Sequence, residues 1–194
     1  MRSGSLLLIS LFTFLEVFSQ GQPEGLFLGA KAPDFKRIDQ FGREVKLRDE
    51  SRKQKLVLVF YRGYWCPHCM RLLSRIQDSF SLITEKGASV IAVSPESAIN
   101  RDKTLEKTKA GFPLIQDTGL AIIKKYDLAY ELSVNQLARY RSGGLDIPSI
   151  NEPNGPFLPV PAVFIIGKEY TITFRFFDPE HKTRISVSQI LENL

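Results

Sequence analysis

The chain has few of the residues that most often bind metal ions. Among 194 residues there are two cysteines and two histidines. A structural zinc site needs about four such ligands. His68 lies between the cysteines, where its geometry as a ligand is poor, and His181 is remote in sequence. The sequence therefore predicts no metal site, and no pattern in it calls for another cofactor.

Clustered basic charge is also lacking. The formal net charge is +5, and lysine and arginine are scattered along the chain. Nucleic-acid binding needs a basic stripe on one face of the protein. Arg71 and Arg75 can share one helix face, but two residues are too few for such a stripe. The sequence therefore argues against a nucleic-acid partner.

Long apolar runs are scarce, and the one that stands out lies at the N-terminus. Residues 6–18 are largely apolar, Arg2 precedes them and small residues follow. This is the pattern of a signal peptide, and the run is too short to span a bilayer comfortably. An amphipathic first helix is the alternative, but the segment lacks a polar face. We expect residues 1–21 to be removed on export, to a periplasm or outside the cell, leaving no stable membrane span. Residues 22–194 then form one domain.

Both cysteines follow directly after an apolar segment and are separated by two residues. Residues 56–60 predict a buried central strand, and residues 67–86 predict a helix with one apolar face. Pro67 suits the first turn of that helix, because its missing N–H would have no partner there. Cys66 and Cys69 should therefore lie at a helix N-terminus, whose dipole stabilises a thiolate.

The spacing of the cysteines favours a dithiol that opens and closes. A disulfide across so small a loop constrains the unfolded chain little, so it adds little stability. We expect Cys66 to be the more exposed sulfur and the nucleophile, and Cys69 to face inward and resolve the mixed disulfide. The helix dipole alone is marginal for lowering a thiol pKa from ~8.5 to ~7. His68 is the nearest candidate for the remaining stabilisation, unless it is only an exposed helix residue.

The remaining sequence alternates short apolar runs with helical patterns. Strands are predicted at residues 45–47, 88–93, 112–115, 162–166 and 171–176, and helices at 100–109, 118–126 and 186–194. This order predicts an α/β fold in which helices cover both faces of a central sheet. The sheet is mixed, because its parallel strands are followed by an antiparallel hairpin. Residues 142–159 are rich in turn-forming residues and predict a long irregular loop.

The segment 65–69, with the sequence Trp-Cys-Pro-His-Cys after an apolar strand, resembles the active site of the thioredoxin superfamily. The wider pattern, from residues 33–35 through 60–63 to 161–165, resembles the peroxiredoxin-like branch, the alkyl hydroperoxide reductase and thiol-specific antioxidant (AhpC/TSA) group. The resemblance covers nearly all of residues 29–194. It implies a thioredoxin-like fold and an antioxidant or disulfide-exchanging enzyme with a redox-active disulfide.

The same resemblance implies roles for single residues. Pro161 matches the cis-proline of the superfamily, so we expect a cis bond after Val160 that presents backbone to a substrate disulfide. Trp65 is expected to cover the dithiol, with core packing as the competing role. Arg184 falls near an arginine that supports the thiolate in peroxiredoxins. Arg62 and Arg184 are weaker candidates, because a plain surface role suits each of them too.

The chain departs from peroxiredoxins where those proteins bind peroxide. They carry a proline seven residues, and a threonine or serine three residues, before the peroxide-reducing cysteine. Counted from Cys69, these positions hold Arg62 and Cys66; counted from Cys66, they hold Val59 and Gly63. Neither register keeps the hydroxyl that would orient a peroxide.

The leading hypothesis is therefore a thiol–disulfide oxidoreductase that acts on protein or small-molecule thiols and disulfides. A thiol-dependent peroxidase that reduces hydroperoxides is one alternative. A non-catalytic thioredoxin-like module with a structural disulfide is another. The sequence leaves the direction of electron flow and the oligomeric state open.

Overall fold

Residues 22–194 are described by a computed structural model of the protein, and the predicted signal peptide lies outside them. Within these residues no helix is both long and apolar enough to cross a membrane. The strands are β1 (Lys36–Ile38), β2 (Glu44–Lys46), β3 (Lys55–Phe60), β4 (Ala88–Ser94), β5 (Leu114–Gln116), β6 (Ala129–Glu131), β7 (Phe157–Pro159), β8 (Ala162–Ile166) and β9 (Ile172–Phe177). The helices are α1 (Leu47–Lys53), α2 (Pro67–Asp78), α3 (Phe80–Glu85), α4 (Ala98–Thr108), α5 (Ala121–Lys125), α6 (Val134–Ser142), α7 (Ile147–Ile150) and α8 (Val187–Glu192).

A five-stranded sheet forms the centre of the fold, in the order β5-β4-β3-β8-β9. Strands β3, β4 and β5 run parallel, whereas β8 runs antiparallel to β3 and β9 antiparallel to β8. The predicted mixed sheet and its C-terminal hairpin are confirmed. Since β3 and β4 are neighbours and parallel, their carboxyl ends meet at one edge of the sheet, where the thiol segment begins.

Both faces of this sheet are buried, as the apolar run of β3 predicts. Leu56, Leu58 and Phe60 pack in one apolar cluster together with side chains of α5. Val57 and Val59 pack in a second cluster with α2 and α8. Successive strand side chains point to opposite faces, so each face of β3 is covered by helices. The prediction of a thioredoxin-like α/β fold is confirmed.

The predicted helix 67–86 is two helices, α2 and α3. Ser79 separates them with a backbone at φ −106° and ψ 14°, outside the α-helical region. After this break Phe80 packs against Phe112, with their ring centroids 5.8 Å apart. Packing against the loop before β5 thus overrides the continuous helical pattern of the sequence.

The predicted irregular loop 142–159 contains α7 and β7, and that part of the prediction is wrong. Strand β7 pairs with β6, and α6 lies between these two strands in sequence. Ile147, Ile150 and Leu158 are buried in a third, smaller apolar cluster, against which Tyr140 and Trp65 pack. This segment therefore forms a wall beside the thiol segment.

Candidate active site

The end of β3 and the start of α2 position the two thiols. Cys66 is the N-cap of α2, and Pro67 is its first residue, as predicted. The Cys69 backbone N–H donates to Cys66 Sγ at 3.3 Å. The loop before them needs Gly63, whose φ is +144° and where a Cβ would lie 2.7 Å from Trp65 Nε1. Strand, tight loop and helix cap together bring both sulfurs to the N-terminus of the helix.

Both cysteines are free thiols, and both are buried. Cys66 is 0% exposed and Cys69 is 1% exposed, so the expectation that Cys66 is the more exposed sulfur is wrong. Two guanidinium groups lie against the sulfurs. Arg62 Nη2 is 3.7 Å from Cys66 Sγ, and Arg184 Nη2 is 3.7 Å from Cys66 Sγ and 3.4 Å from Cys69 Sγ. A substrate can therefore reach either sulfur only when side chains around the pair move.

The surroundings separate the pKa values of the two thiols. A hydrogen bond from Cys69 and the charge of Arg62 lower the pKa of Cys66 to about 4. Burial raises the pKa of Cys69, and the neighbouring Cys66 raises it further. A helix N-terminus supplies at most ~2 kcal/mol of thiolate stabilisation, and one pKa unit corresponds to about 1.4 kcal/mol. Cys69 and Arg62 must therefore supply much of the effect on Cys66.

His68 is exposed, and its Nδ1 lies 3.0 Å from Arg71 Nη2. No hydrogen bond joins it to Cys66 in the described part of the chain, so its predicted tuning role stays a prediction. The positive charge beside the thiols comes from arginines 62 and 184, which the sequence marks as weaker candidates. Across residues 22–194, no three cysteine, histidine or acidic side chains are grouped as a metal site.

Pro161 lies directly before β8, whose first residue, Ala162, pairs with Phe60 at the end of β3. The predicted cis bond is wrong, because the peptide bond between Val160 and Pro161 is trans. The Val160 N–H donates to the Leu128 carbonyl at 2.8 Å, and the Pro161 carbonyl accepts from the Asp178 N–H at 3.2 Å. The trans form of this peptide bond, which is lower in energy by ~0.5–1 kcal/mol, is compatible with both of these hydrogen bonds. The Pro161 carbonyl is thus engaged within the fold.

Trp65 is half-buried and packs against Arg62. The guanidinium carbon of Arg62 lies 5.0 Å from the centroid of the indole. On its other side the indole meets the ring of Tyr140 edge to face, at 5.2 Å between centroids. The cation–π contact restrains Arg62 next to Cys66, so Trp65 helps to position a charge as well as to pack.

A buried carboxylate, which the sequence reasoning missed, lies behind the thiol loop. Glu96, just after β4, is 0% exposed. It accepts hydrogen bonds from Tyr61 Oη at 2.7 Å, Thr104 Oγ1 at 2.7 Å and the Tyr64 N–H at 2.8 Å. The bond from Tyr64 ties the loop before Cys66 to the end of β4. An acidic residue directly after a buried parallel strand is the signal that could have revealed it.

We expect Glu96→Gln to change how stability depends on pH. Burial raises the pKa of Glu96 to about 6, above the ~4.3 of an unfolded chain. Between these two pH values the native state binds more protons than the unfolded chain. The stabilisation that the protonated form of Glu96 gives the native state is therefore complete below pH ~4.3 and is lost as the pH rises through about 6. This loss amounts to about 2 kcal/mol.

Urea unfolding of both proteins across this pH range measures the effect. The free energy of unfolding of the wild type, relative to that of Glu96→Gln, should fall by about 2 kcal/mol as the pH rises. Other titrating groups are present in both proteins and cancel in this difference. A difference that does not change with pH would contradict the assignment.

Comparison with known proteins places this site in a family. A model described as the AhpC/TSA family matches residues 28–175, which include both cysteines. Peroxiredoxin Bcp of Bacillus subtilis is 33% identical over 101 residues, which are 52% of this chain and 64% of Bcp. Thiol-disulfide oxidoreductase ResA of Geobacillus thermodenitrificans is 29% identical over 100 residues, 51% of this chain and 56% of ResA.

The match to these relatives extends over about half to just under two thirds of their length. A solved structure, peroxidoxin BcpB of Mycobacterium tuberculosis, shares the fold with a TM-score of 0.66 at 18% identity. The superposition covers 86% of this chain and 94% of that one. On the strength of the family match, this protein belongs to the AhpC/TSA family, with thioredoxin-like and peroxiredoxin relatives.

Proposed function

We propose that the protein is a thiol–disulfide oxidoreductase in which Cys66 is the nucleophile and Cys69 the resolving thiol. The observation that carries the proposal is the environment of Cys66 Sγ, which accepts from the Cys69 N–H at 3.3 Å and lies 3.7 Å from Arg62 Nη2. This environment lowers the pKa of Cys66, whereas burial raises the pKa of Cys69. At neutral pH this pair holds one thiolate and one protonated thiol. The thiolate is the reactive form in disulfide exchange.

The exchange proceeds in two displacements. The Cys66 thiolate attacks one sulfur of a disulfide RSSR, which releases RS⁻ and forms a mixed disulfide. Cys69 then attacks Cys66 Sγ, releases the second RS group and gives up its proton to a released thiolate. The protein dithiol is thereby oxidised to a disulfide, and RSSR is reduced to one thiol and one thiolate, which can take a proton from solvent. The reverse sequence oxidises a substrate dithiol.

Arg184 suits the second displacement. Negative charge moves from Cys66 toward Cys69 when the resolving thiol ionises. The Arg184 guanidinium lies within 3.7 Å of one sulfur and 3.4 Å of the other. It can therefore stabilise a thiolate on either sulfur without a large movement.

A thiol-dependent peroxidase is the second candidate. It is favoured by the similarity to peroxiredoxin Bcp and by the contact of Arg184 with both sulfurs, because Arg184 falls near an arginine that supports the thiolate in peroxiredoxins. Against it stand the raised pKa of Cys69 and the lack of a hydroxyl three residues earlier. A structural disulfide would require neither the lowered pKa of Cys66 nor the two arginines beside the sulfurs.

Two assays on the purified protein separate these functions. We expect catalysed reduction of insulin, or of bis(2-hydroxyethyl) disulfide, with dithiothreitol as the electron donor. Fast hydroperoxide consumption without disulfide reduction would favour the peroxidase instead. Activity in neither assay, with a disulfide that resists millimolar glutathione, would favour the structural role.

N-terminal sequencing of protein from the expressing cells would test whether residues 1–21 are removed on export.

A further inference from the structure

A cavity of about 290 Å³ shares Arg62 with the thiol site, although neither sulfur lines it. Its walls include Arg62, Arg139, two tyrosines (130 and 140) and His181. Arg62 connects it to the thiol pair, since its Nη1 donates to Tyr140 Oη at 3.1 Å while its Nη2 lies 3.7 Å from Cys66 Sγ. A group bound to this guanidinium is therefore held close to the nucleophilic sulfur.

The ionised groups that line the cavity are both cations, Arg62 and Arg139, and no carboxylate among the described residues lines it. Burial raises the pKa of Tyr130 to about 12 and lowers that of His181 to about 4. These two rings, stacked with centroids 5.0 Å apart, are therefore neutral at pH 7. The cavity thus combines two positive charges with a neutral aromatic wall.

A neighbouring cavity carries negative charge. It shares Tyr130 and His181 with the first cavity and is also lined by Glu131 and Glu180. An anionic ligand is therefore favoured in the cavity of Arg62 and Arg139 and disfavoured in the neighbouring one. This arrangement selects a compact anion whose charge stays near the thiols.

Two buried polar atoms in the walls lack partners. Arg62 Nε and His181 Nδ1 make no hydrogen bond within residues 22–194. Most buried polar atoms in folded proteins are hydrogen-bonded, so these two are unusual, but they are closed off from the cavity itself. The donors that a ligand can reach are those of exposed Arg139, because a guanidinium presents paired N–H groups that match the two oxygens of a carboxylate.

We propose that this cavity binds the carboxylate of a small organic disulfide or thiol and so selects the substrate of Cys66. This inference rests on the proposed disulfide exchange. The volume suits a small molecule. A carboxylate held by Arg62 and Arg139 would bring the sulfur a few bonds away toward Cys66.

Three disulfides with similar skeletons test the charge preference. They are 3,3′-dithiodipropionate, which is anionic, bis(2-hydroxyethyl) disulfide, which is neutral, and cystamine, which is cationic. Their reaction rates with the reduced protein are measured at low ionic strength and divided by their rates with free dithiothreitol. We expect the corrected rate to be about tenfold higher for the anion than for the neutral compound and lowest for the cation.

Arg139→Gln and Arg141→Gln form a matched pair of variants. Both arginines are exposed on α6, so each variant removes one charge from the same helix. Arg141 pairs with Asp146 at 3.3 Å and does not line the cavity. Arg139→Gln should lower the ratio of anionic to neutral rates about three- to tenfold, whereas Arg141→Gln should leave that ratio and the basal rate as in the wild type.

Each outcome decides the proposal. Equal corrected rates for the three disulfides, or equal effects of the two variants, would overturn the carboxylate site. The proposed disulfide exchange would still stand in that case, provided that the neutral disulfide is reduced. If no disulfide reacts at Cys66, the proposed function fails and the inference fails with it. A preference for the anion that only Arg139→Gln weakens would support both.

Discussion

Cys69→Ser should stop the reaction halfway, and Cys66→Ser should stop it before it starts. Without Cys66 the protein loses its thiolate, and we expect disulfide reduction to fall by more than about 10³-fold, the usual scale for a lost nucleophile. Without Cys69 the first displacement remains possible. Because nothing then displaces the captured group, a mixed disulfide on Cys66 should accumulate, one per protein molecule.

Intact mass spectrometry after addition of an excess of disulfide measures the adduct. The two variants control each other, because each leaves a single cysteine in the chain. The adduct is expected in Cys69→Ser and not, on the same timescale, in Cys66→Ser. The opposite result, with rapid loss of added hydroperoxide in Cys66→Ser, would assign the nucleophile to Cys69 and favour the peroxidase.

Arg62→Gln should raise the pKa of Cys66 by about 1 to 3 pH units. An opposite charge at 4–6 Å typically shifts a pKa by that amount, and Arg62 Nη2 lies 3.7 Å from the sulfur. The thiolate then becomes a smaller fraction of the protein below neutral pH. The rate of alkylation by iodoacetamide should follow this fraction, so its midpoint against pH gives the pKa directly.

His68→Gln is the matched control for this variant. Its side chain is exposed and bonded to Arg71, so we expect the alkylation midpoint to stay close to that of the wild type. A large change in His68→Gln with none in Arg62→Gln would restore the role that the sequence assigns to His68. Equal changes in both would mean that long-range charge, rather than the contact with Arg62, sets the pKa.

The parts of the site that are local in sequence could be predicted. The apolar run of β3, Pro67 in the first helical turn and the spacing of the cysteines each depend on neighbouring residues. Pattern and turn chemistry report such features reliably, and they place Cys66 at the helix N-cap and Cys69 in the first turn. The same local logic fails at Ser79, because packing of Phe80 on the loop before β5 breaks the helix.

Contacts between distant segments could not be predicted in the same way. Arg184 reaches the sulfurs across 118 and 115 positions of sequence, and single-sequence patterns do not encode such distances. Helix α6 was missed although Ser133 and Gln136 form a capping box at its start, a signal visible in the sequence. The expectation that Cys66 is the more exposed sulfur treated the helix end in isolation, without the arginines that pack against it.

Ultraviolet titration of the thiolates in the reduced protein tests directly whether Cys66 is ionised and Cys69 protonated at neutral pH. We predict one thiolate that appears with a midpoint near pH 4 and disappears in Cys66→Ser, while the second thiol stays protonated up to at least its ordinary pKa of ~8.5. Two thiols that titrate together above pH ~8 would contradict this prediction.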